Sequence, residues 1–372
     1  MKKYKICVYA ICKNEEEFVD KWYDSVKEAD YVVVLDTGST DGTYEKLKSK
    51  GFIVEQKVIS PWRFDVARNE SMKLIPKDAD ILVPSDLDEA FEPGWANVVR
   101  EHWTDDMNRG HYKFAWSHNE DGSPARVFWY DKMHDNDGKW EWIFPVHETL
   151  VHKEDKEQKR VWLPQTVYLH HWPKQKDSRS NYLPLLEKRT SENPDDASGF
   201  YYLASEYEWR ARYDEAIDAY YKMVNLLEEK EYKDNLSISS CYCRIGFCEK
   251  QKGNYSKAIR VLKKGVGLSP QLRDTYGLLM EIYNDLKEHE NTIYWGKKAL
   301  ETTRRFFNWM ELPHYWEDFI YDAMGIAYYY LGNYEKAFTM FSYALKYKPN
   351  DQRLKSNLAF AEEQLNKKYY RW

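Results

Sequence analysis

The sequence predicts an α/β domain over residues 1–180 followed by an all-α superhelix of paired helices over residues 181–372. Three observations carry this reading. Strand-length apolar runs alternate with helical patterns in the first part of the chain. Beyond Asn181 strand signals stop and helical periodicity with internal repetition takes over. Between these, the apolar run Ile81-Leu82-Val83-Pro84 ends in Ser85-Asp86-Leu87-Asp88, two acids one residue apart at the tip of a strand. A pleat turns residues i and i+2 to one side. Both carboxylates are therefore expected at the carboxyl edge of the sheet, where open α/β sheets bind ligands.

Each element follows from its residues. Ile6-Cys7-Val8-Tyr9-Ala10-Ile11 reads as a buried strand, and residues 15–28 as a helix with Asn14 as N-cap. Tyr31-Val32-Val33-Val34-Leu35 is apolar throughout, as a strand covered on both faces must be. Residues 43–50 form a short helix stopped by Gly51, residues 52–54 begin a third strand, residues 66–74 are helical, and residues 81–84 make the fourth strand. This alternation requires right-handed crossovers and a parallel sheet. After Trp95 the pattern loosens into strands near 111–116, 126–130 and 166–170 between polar loops, so mixed or antiparallel additions are expected.

In the second part, Gly253-Asn254-Tyr255-Ser256-Lys257-Ala258 and Gly332-Asn333-Tyr334-Glu335-Lys336-Ala337 repeat one signature, with an earlier copy at Tyr213-Asp214-Glu215-Ala216. Ala258 and Thr292, in a weaker copy, stand 34 residues apart. Gly246, Ala258, Gly325 and Ala337 are small enough for paired helices to approach, while Tyr255, Tyr334 and Phe341 fill the space between units. This half resembles tetratricopeptide repeats, with about four units over residues 198–366. Such solenoids present concave surfaces to extended ligands, and self-association through the repeats is also expected.

Composition narrows the function classes. The net charge of −6 gives no global basic footprint for nucleic acid. No apolar run is long enough to cross a bilayer, and no charged-then-apolar leader opens the chain. Five cysteines fit a reducing compartment, so a cytoplasmic protein is expected. Cys241, Cys243 and Cys248 lack a zinc spacing and read as buried apolar fillers. Eight of the 15 Trp fall between Trp95 and Trp172, and flat rings of this kind suit sugar faces.

The chemistry-bearing motif after the second strand is Asp36-Thr37-Gly38-Ser39-Thr40-Asp41-Gly42-Thr43. Its glycines permit a tight turn, and Asp36 sits at the strand tip, where a carboxylate can accept hydrogen bonds from a nucleoside. A dinucleotide-binding fold also places an acid there, but it needs a glycine-rich turn after the first strand. Here that strand runs into Ala10-Ile11-Cys12-Lys13-Asn14-Glu15, with no glycine.

Four ordered motifs (Lys13-Asn14-Glu15, Asp36 to Thr43, Ala67-Arg68-Asn69 and Asp86-Leu87-Asp88) resemble the family 2 glycosyltransferases of the GT-A fold, over roughly residues 4–175. The resemblance implies a Rossmann-like nucleotide-diphospho-sugar transferase domain with a nucleoside-diphosphate sugar as donor, commonly a UDP-sugar. It implies that Asp36 contacts the base and Arg68 steadies the nucleotide or its diphosphate. It also implies that Asp86 lies near ribose and metal, and that Asp88 ligates Mn²⁺ or Mg²⁺, with His170 preferred over His171 as a late metal ligand. Members of the family usually invert the anomeric centre, which requires a general base. The usual downstream Glu-Asp pair is absent, and His147 or Glu148 of Pro145-Val146-His147-Glu148-Thr149 takes its place, with Asp131, Asp135 and Asp137 as alternatives. The combination with a tetratricopeptide tail resembles a subset of the family, some members of which glycosylate peptides or proteins, so such an acceptor is expected. Saccharide, lipid-linked or modified-DNA acceptors, and a repeat scaffold without activity, are the alternatives.

Overall fold

The computed structural model describes residues 4–154, 157–173, 182–230, 233–305 and 310–369. The chain divides into two compact units, Met1–Arg189 and Thr190–Trp372. The boundary expected between Ser180 and Asn181 lies outside the described residues.

In the first unit the strands are β1 (Ile6–Cys12), β2 (Tyr31–Asp36), β3 (Ile53–Gln56), β4 (Ile81–Pro84), β5 (Glu89–Phe91), β6 (Arg109–His118), β7 (Pro124–Asp135), β8 (Trp140–Ile143), β9 (Thr149–His152), β10 (Arg160–Trp162) and β11 (Tyr168–His171). The helices are α1 (Val19–Val26), α2 (Thr43–Ser49), α3 (Phe64–Met72), α4 (Trp95–His102) and α5 (Tyr182–Glu192), the last running across the division. Among the described residues one sheet runs β3-β2-β1-β4-β7-β6-β11-β5, with β10 beside β6, and β8 and β9 form a separate hairpin. β3, β2, β1 and β4 are parallel, and β7 is antiparallel to both its neighbours.

Period-two alternation explains why β1 is apolar without interruption. Ile6, Val8 and Ala10 pack with Trp22 of α1 and Trp95 of α4 on one face. Cys7 and Tyr9 pack with Trp140, Trp142 and Leu150 of the β8–β9 hairpin on the other. The buried indoles are satisfied: Trp22 Nε1 donates to Ser85 Oγ at 3.1 Å and Trp95 Nε1 to Ser25 O at 2.8 Å. The register sets Cys12 beside Asp36 and Tyr9 beside Pro84. The carboxyl ends of β2, β1 and β4 thus meet where strand order reverses direction, the ligand crevice of doubly wound sheets.

The expected helix over residues 15–28 is instead a 3-10 turn, Glu16–Phe18, followed by α1. Asn14 does not cap it. It takes a left-handed conformation (φ 55°) and its side-chain oxygen accepts the Thr40 amide, bonding to a different loop. The third strand and α3 each begin near their expected positions, whereas β5, α4, β10 and the β8–β9 hairpin have no counterpart in the sequence reading.

The second unit contains the helix pairs α6 (Ala197–Trp209) with α7 (Tyr213–Glu228), α8 (Asn235–Gln251) with α9 (Tyr255–Leu268), α10 (Arg273–Asp285) with α11 (His289–Glu301), and α12 (Phe319–Tyr330) with α13 (Tyr334–Tyr347). A final helix, α14 (Gln352–Tyr369), follows. The repeated Gly-Asn-Tyr signature is a turn. Gly253 and Gly332 end α8 and α12 in left-handed conformations (φ 78° and 73°), which only glycine adopts without strain. Asn333 Oδ1 then accepts the Lys336 amide and caps α13. Gly325 of α12 faces Phe341 of α13 so closely that an added Cβ would lie 2.6 Å from the ring. Gly325→Ala is therefore expected to destabilise this unit by about 1–3 kcal/mol through overpacking. A urea midpoint unchanged from wild type would show that the ring yields instead.

Candidate active site

The loops after β1 and β2 form one stitched rim. Asn14 N donates to Ser39 Oγ and Thr40 N to Asn14 Oδ1, both at 2.8 Å, and Glu15 N donates to Thr43 Oγ1 at 2.8 Å. Asp36, expected at the nucleoside, is fully buried. Its Oδ1 accepts the amides of Gly38 (2.8 Å) and Ser39 (2.7 Å) and the Gln56 Nε2 amide (3.2 Å). Burial pushes its pKa up, but these donors outweigh burial and hold it below the ordinary carboxylate value.

β4 ends at Pro84, so Asp86 and Asp88 lie in a turn before β5 and not in a pleat. Their side chains part company. Asp86 receives both terminal nitrogens of Arg68 (Nη1–Oδ1 2.9 Å, Nη2–Oδ2 3.1 Å), while Arg68 Nε donates to Glu148 Oε1 at 2.5 Å. One buried guanidinium thus joins the acid of the Asp-Leu-Asp motif to the acid of the His-Glu motif. Burial opposes its charge, yet the two carboxylates raise its pKa well above the usual arginine value. The whole Ala67-Arg68-Asn69 motif of α3 has a physical reading. Ala67 is fully buried among Ile11 and Leu35. Asn69 exchanges two hydrogen bonds with the backbone of Trp142 (Nδ2 to O 2.8 Å, N to Oδ1 2.9 Å), and Arg68 lies 5.1 Å from the centroid of that indole.

Residues 144–148 join β8 to β9 and carry His147 and Glu148. Phe144 and His147 have positive φ (78° and 49°). The loop is pinned from α5: buried Arg189 Nη1 donates to Val146 O (3.1 Å) and His147 O (2.9 Å), with its guanidinium 3.8 Å from the Phe144 ring centroid. Phe64 N donates to Pro145 O at 3.0 Å. His147 is exposed, its ring edge-on to Tyr182. Glu148 points inward. Burial pushes its pKa up, but the charges of Arg68 and Lys132 bring it below the usual value.

Asp88 has His171 as its imidazole neighbour (Nε2–Oδ2 3.8 Å), and burial lowers the His171 pKa while Asp88 raises it, for a net rise. His170, the expected metal ligand, bonds Glu92 Oε1 and His118 Nε2, each at 2.9 Å. The geometry therefore sets His171, not His170, beside Asp88. The alternative bases are occupied elsewhere. Asp131 pairs with Arg109 (3.2 Å), Asp135 stands opposite Ile81 at the far end of β4, and Asp137 pairs with His152 (2.8 Å). Among the described residues no three His, Cys, Asp or Glu side chains converge on a metal site. Asp88 with His171 offers an oxygen and a nitrogen ligand; the carboxylate suits Mn²⁺ or Mg²⁺, and the imidazole favours Mn²⁺ of the two.

Three site residues have no counterpart in the sequence reading. Arg189 braces the His-Glu loop, and the Trp142 ring lies near Arg68 and Lys132. Lys132 of β7 places Nζ 4.5 Å from the Tyr130 ring centroid and 5.2 Å from that of Trp142. The signal for Lys132 lay in the alternation Tyr130, Lys132, His134, which continues the strand past its expected end.

With this geometry in place, the matches to known proteins fall where the motifs do. Residues 7–147 match the family model of glycosyl transferase family 2, and residues 319–351 match that of the tetratricopeptide repeat. The chain joins a family 2 glycosyltransferase domain to a tetratricopeptide-repeat region. Solved structures similar to it include MamA (20% identity, 46% of this chain and 88% of that one, TM-score 0.37) and a thermophilic repeat protein from Thermus thermophilus (22%, 48% and 88%, 0.33). A third is YrrB, described as a repeat protein with an unusual peptide-binding site (17%, 50% and 83%, 0.36). No curated protein sequence matches the chain.

In the glycosyltransferase domain the Arg68 bridge should show itself in stability. Arg68→Met leaves Glu148 buried without its partner, and a loss of about 3 kcal/mol or more at neutral pH is expected. Because the folded pKa of Glu148 is lowered, the ion pair stabilises above the unfolded carboxylate value and fades as pH falls through the folded one. The deficit of the variant should accordingly shrink below about pH 4.5. Denaturant titrations of both proteins at pH 7 and pH 4 measure it, and a deficit independent of pH contradicts the ionic account.

Proposed function

We propose that this glycosyltransferase domain moves a sugar from a nucleoside-diphosphate sugar, with UDP as the expected nucleotide, onto a peptide or protein acceptor, inverting the anomeric centre. The observation that supports this best is the single guanidinium of Arg68 holding both Asp86 and Glu148 at the carboxyl end of β4. The stitched rim beside it offers a preorganised seat for the nucleoside. Asp36, buried and committed to loop amides, acts there by shaping that rim.

In the reaction an acceptor lone pair forms a bond to the anomeric carbon as the bond from that carbon to the diphosphate oxygen breaks. The nucleoside diphosphate leaves with the electron pair, and the acceptor proton passes to a base. A divalent ion held by Asp88 and His171 would neutralise charge on the departing diphosphate. Glu148 is the better base of the His-Glu pair because its carboxylate points into the site and is ionised at neutral pH. Arg68 lowers its basicity while the two are paired. A diphosphate competing for the guanidinium weakens that pairing and raises the basicity of Glu148 when donor is bound. The tetratricopeptide region supports a peptide or protein acceptor, since solenoid surfaces suit extended chains.

Purified protein incubated with UDP-sugars, Mn²⁺ and peptide, saccharide or lipid-linked acceptors, followed by mass spectrometry, tests the reading. One glycosyl unit added to a peptide is expected, and transfer only to glycan or lipid removes the peptide acceptor. Glu148→Gln should lower kcat by about 10²–10⁴-fold with little change in donor KM. The pH profile separates the two bases. Glu148 predicts activity retained down to about pH 5, whereas a His147 base predicts an acid limb near pH ~6.5.

A further inference from the structure

Lys132 is placed by register. Asp135 pairs with Ile81 and His134 with Leu82 in the antiparallel β4–β7 ladder. Continued by two residues, that ladder brings Lys132 level with Pro84, where β4 gives way to Ser85 and Asp86. Its ammonium lies against the rings of Tyr130 and Trp142, and Arg68 lies against Trp142 as well. The two cations therefore share one aromatic wall at the carboxyl end of β4.

Their bonding differs. Arg68 spends Nε, Nη1 and Nη2 on Glu148 and Asp86. Lys132, half-buried, makes no hydrogen bond and no ion pair among the described residues, although Glu148, Asp86 and Glu89 are near enough to act on its charge. An ammonium carries three N–H donors, and those of this half-buried Lys132 are met by no protein acceptor among the described residues. Resident acids close enough to influence Lys132 but not bonded to it leave its donors for an anion that arrives from solution. The anion that the proposed reaction brings to this end of the sheet is a diphosphate.

We propose that Lys132 supplies a second fixed positive charge that binds the donor's diphosphate beside Arg68. This rests on the nucleotide-sugar reading above. A compact ammonium suits the assignment, since lysine grips phosphate as a point charge and can follow the oxygens as the leaving group departs. Trp142 keeps both cations at the crevice, and Arg189, by bracing the loop after β8, holds that wall in place.

The experiment is binding of UDP, inorganic pyrophosphate and uridine, each with Mg²⁺, to wild-type protein and to Lys132→Met and Lys132→Gln, by calorimetry. Both substitutions are expected to weaken UDP and pyrophosphate by about tenfold or more and to leave uridine unchanged. Their UDP affinity should also fall less steeply with added salt, because one ionic contact is gone. Wild-type affinity for pyrophosphate in both variants overturns the Lys132 assignment and leaves the donor reading standing. Wild-type protein that binds neither UDP nor pyrophosphate removes the donor reading, and this inference with it. If both variants lose their cooperative thermal transition, Lys132 is a structural counter-charge and the assignment also fails.

Discussion

The site depends on one buried guanidinium. Arg68 is the residue through which α3, the turn after β4 and the β8–β9 hairpin are held together. Its three nitrogens reach acids from the turn and the hairpin loop, while its plane lies near Trp142 of that hairpin. A charge this deep is tolerated only when paired and hydrogen-bonded. The pairing therefore constrains geometry in both directions: the acids keep Arg68 ionised, and Arg68 fixes where the acids stand. The flanking residues of its motif serve the same end, Ala67 by close packing and Asn69 by clamping the Trp142 backbone.

The parts of the fold legible in the sequence are those with one physical solution. β1, β2 and β4 are parallel strands buried on both faces, so their sequences are unbroken apolar runs and cannot be mistaken for half-exposed strands. Two repeat turns are legible because a left-handed position after a helix favours glycine, and Gly253 and Gly332 supply it at matching places, whereas Ala211 and Lys287 take the same position after α6 and α10 without that signal. The elements that escaped are short and depend on partners distant in sequence. β5 has three residues, and β8 and β9 have four each. Their stability comes from Trp140 and Trp142 packing on Tyr9, which no local pattern announces.

The candidate site divides the same way. Arg68, Asp86, Asp88 and Glu148 were legible as motif residues, and the structure brings Arg68, Asp86 and Glu148 into direct contact. What each acid faces was not legible. The pleat argument for Asp86 and Asp88 needs a strand, and β4 stops at Pro84. The choice between His170 and His171 turns on a single residue of register. β11 pairs with β5 on one side and β6 on the other, so adjacent histidines take opposite faces, and only the ladder decides which one meets Asp88.

Electrostatics limits how the site can meet a diphosphate. Asp86, Asp88 and Glu148 stand against Arg68 and Lys132, while Glu89, its pKa pushed up to about 8 by burial and by Asp86, contributes little negative charge at neutral pH. Resident charges thus come close to cancelling before any donor arrives. A donor diphosphate would have to share Arg68 with its carboxylates, because each nitrogen of that guanidinium already donates to Asp86 or Glu148. To the extent that the diphosphate takes a share of the guanidinium, the hold on Glu148 loosens, the same competition that would raise its basicity. An ion held by Asp88 and His171 would limit that loosening, because it would neutralise part of the diphosphate charge and leave the bridge that fixes the loop of Glu148 largely intact.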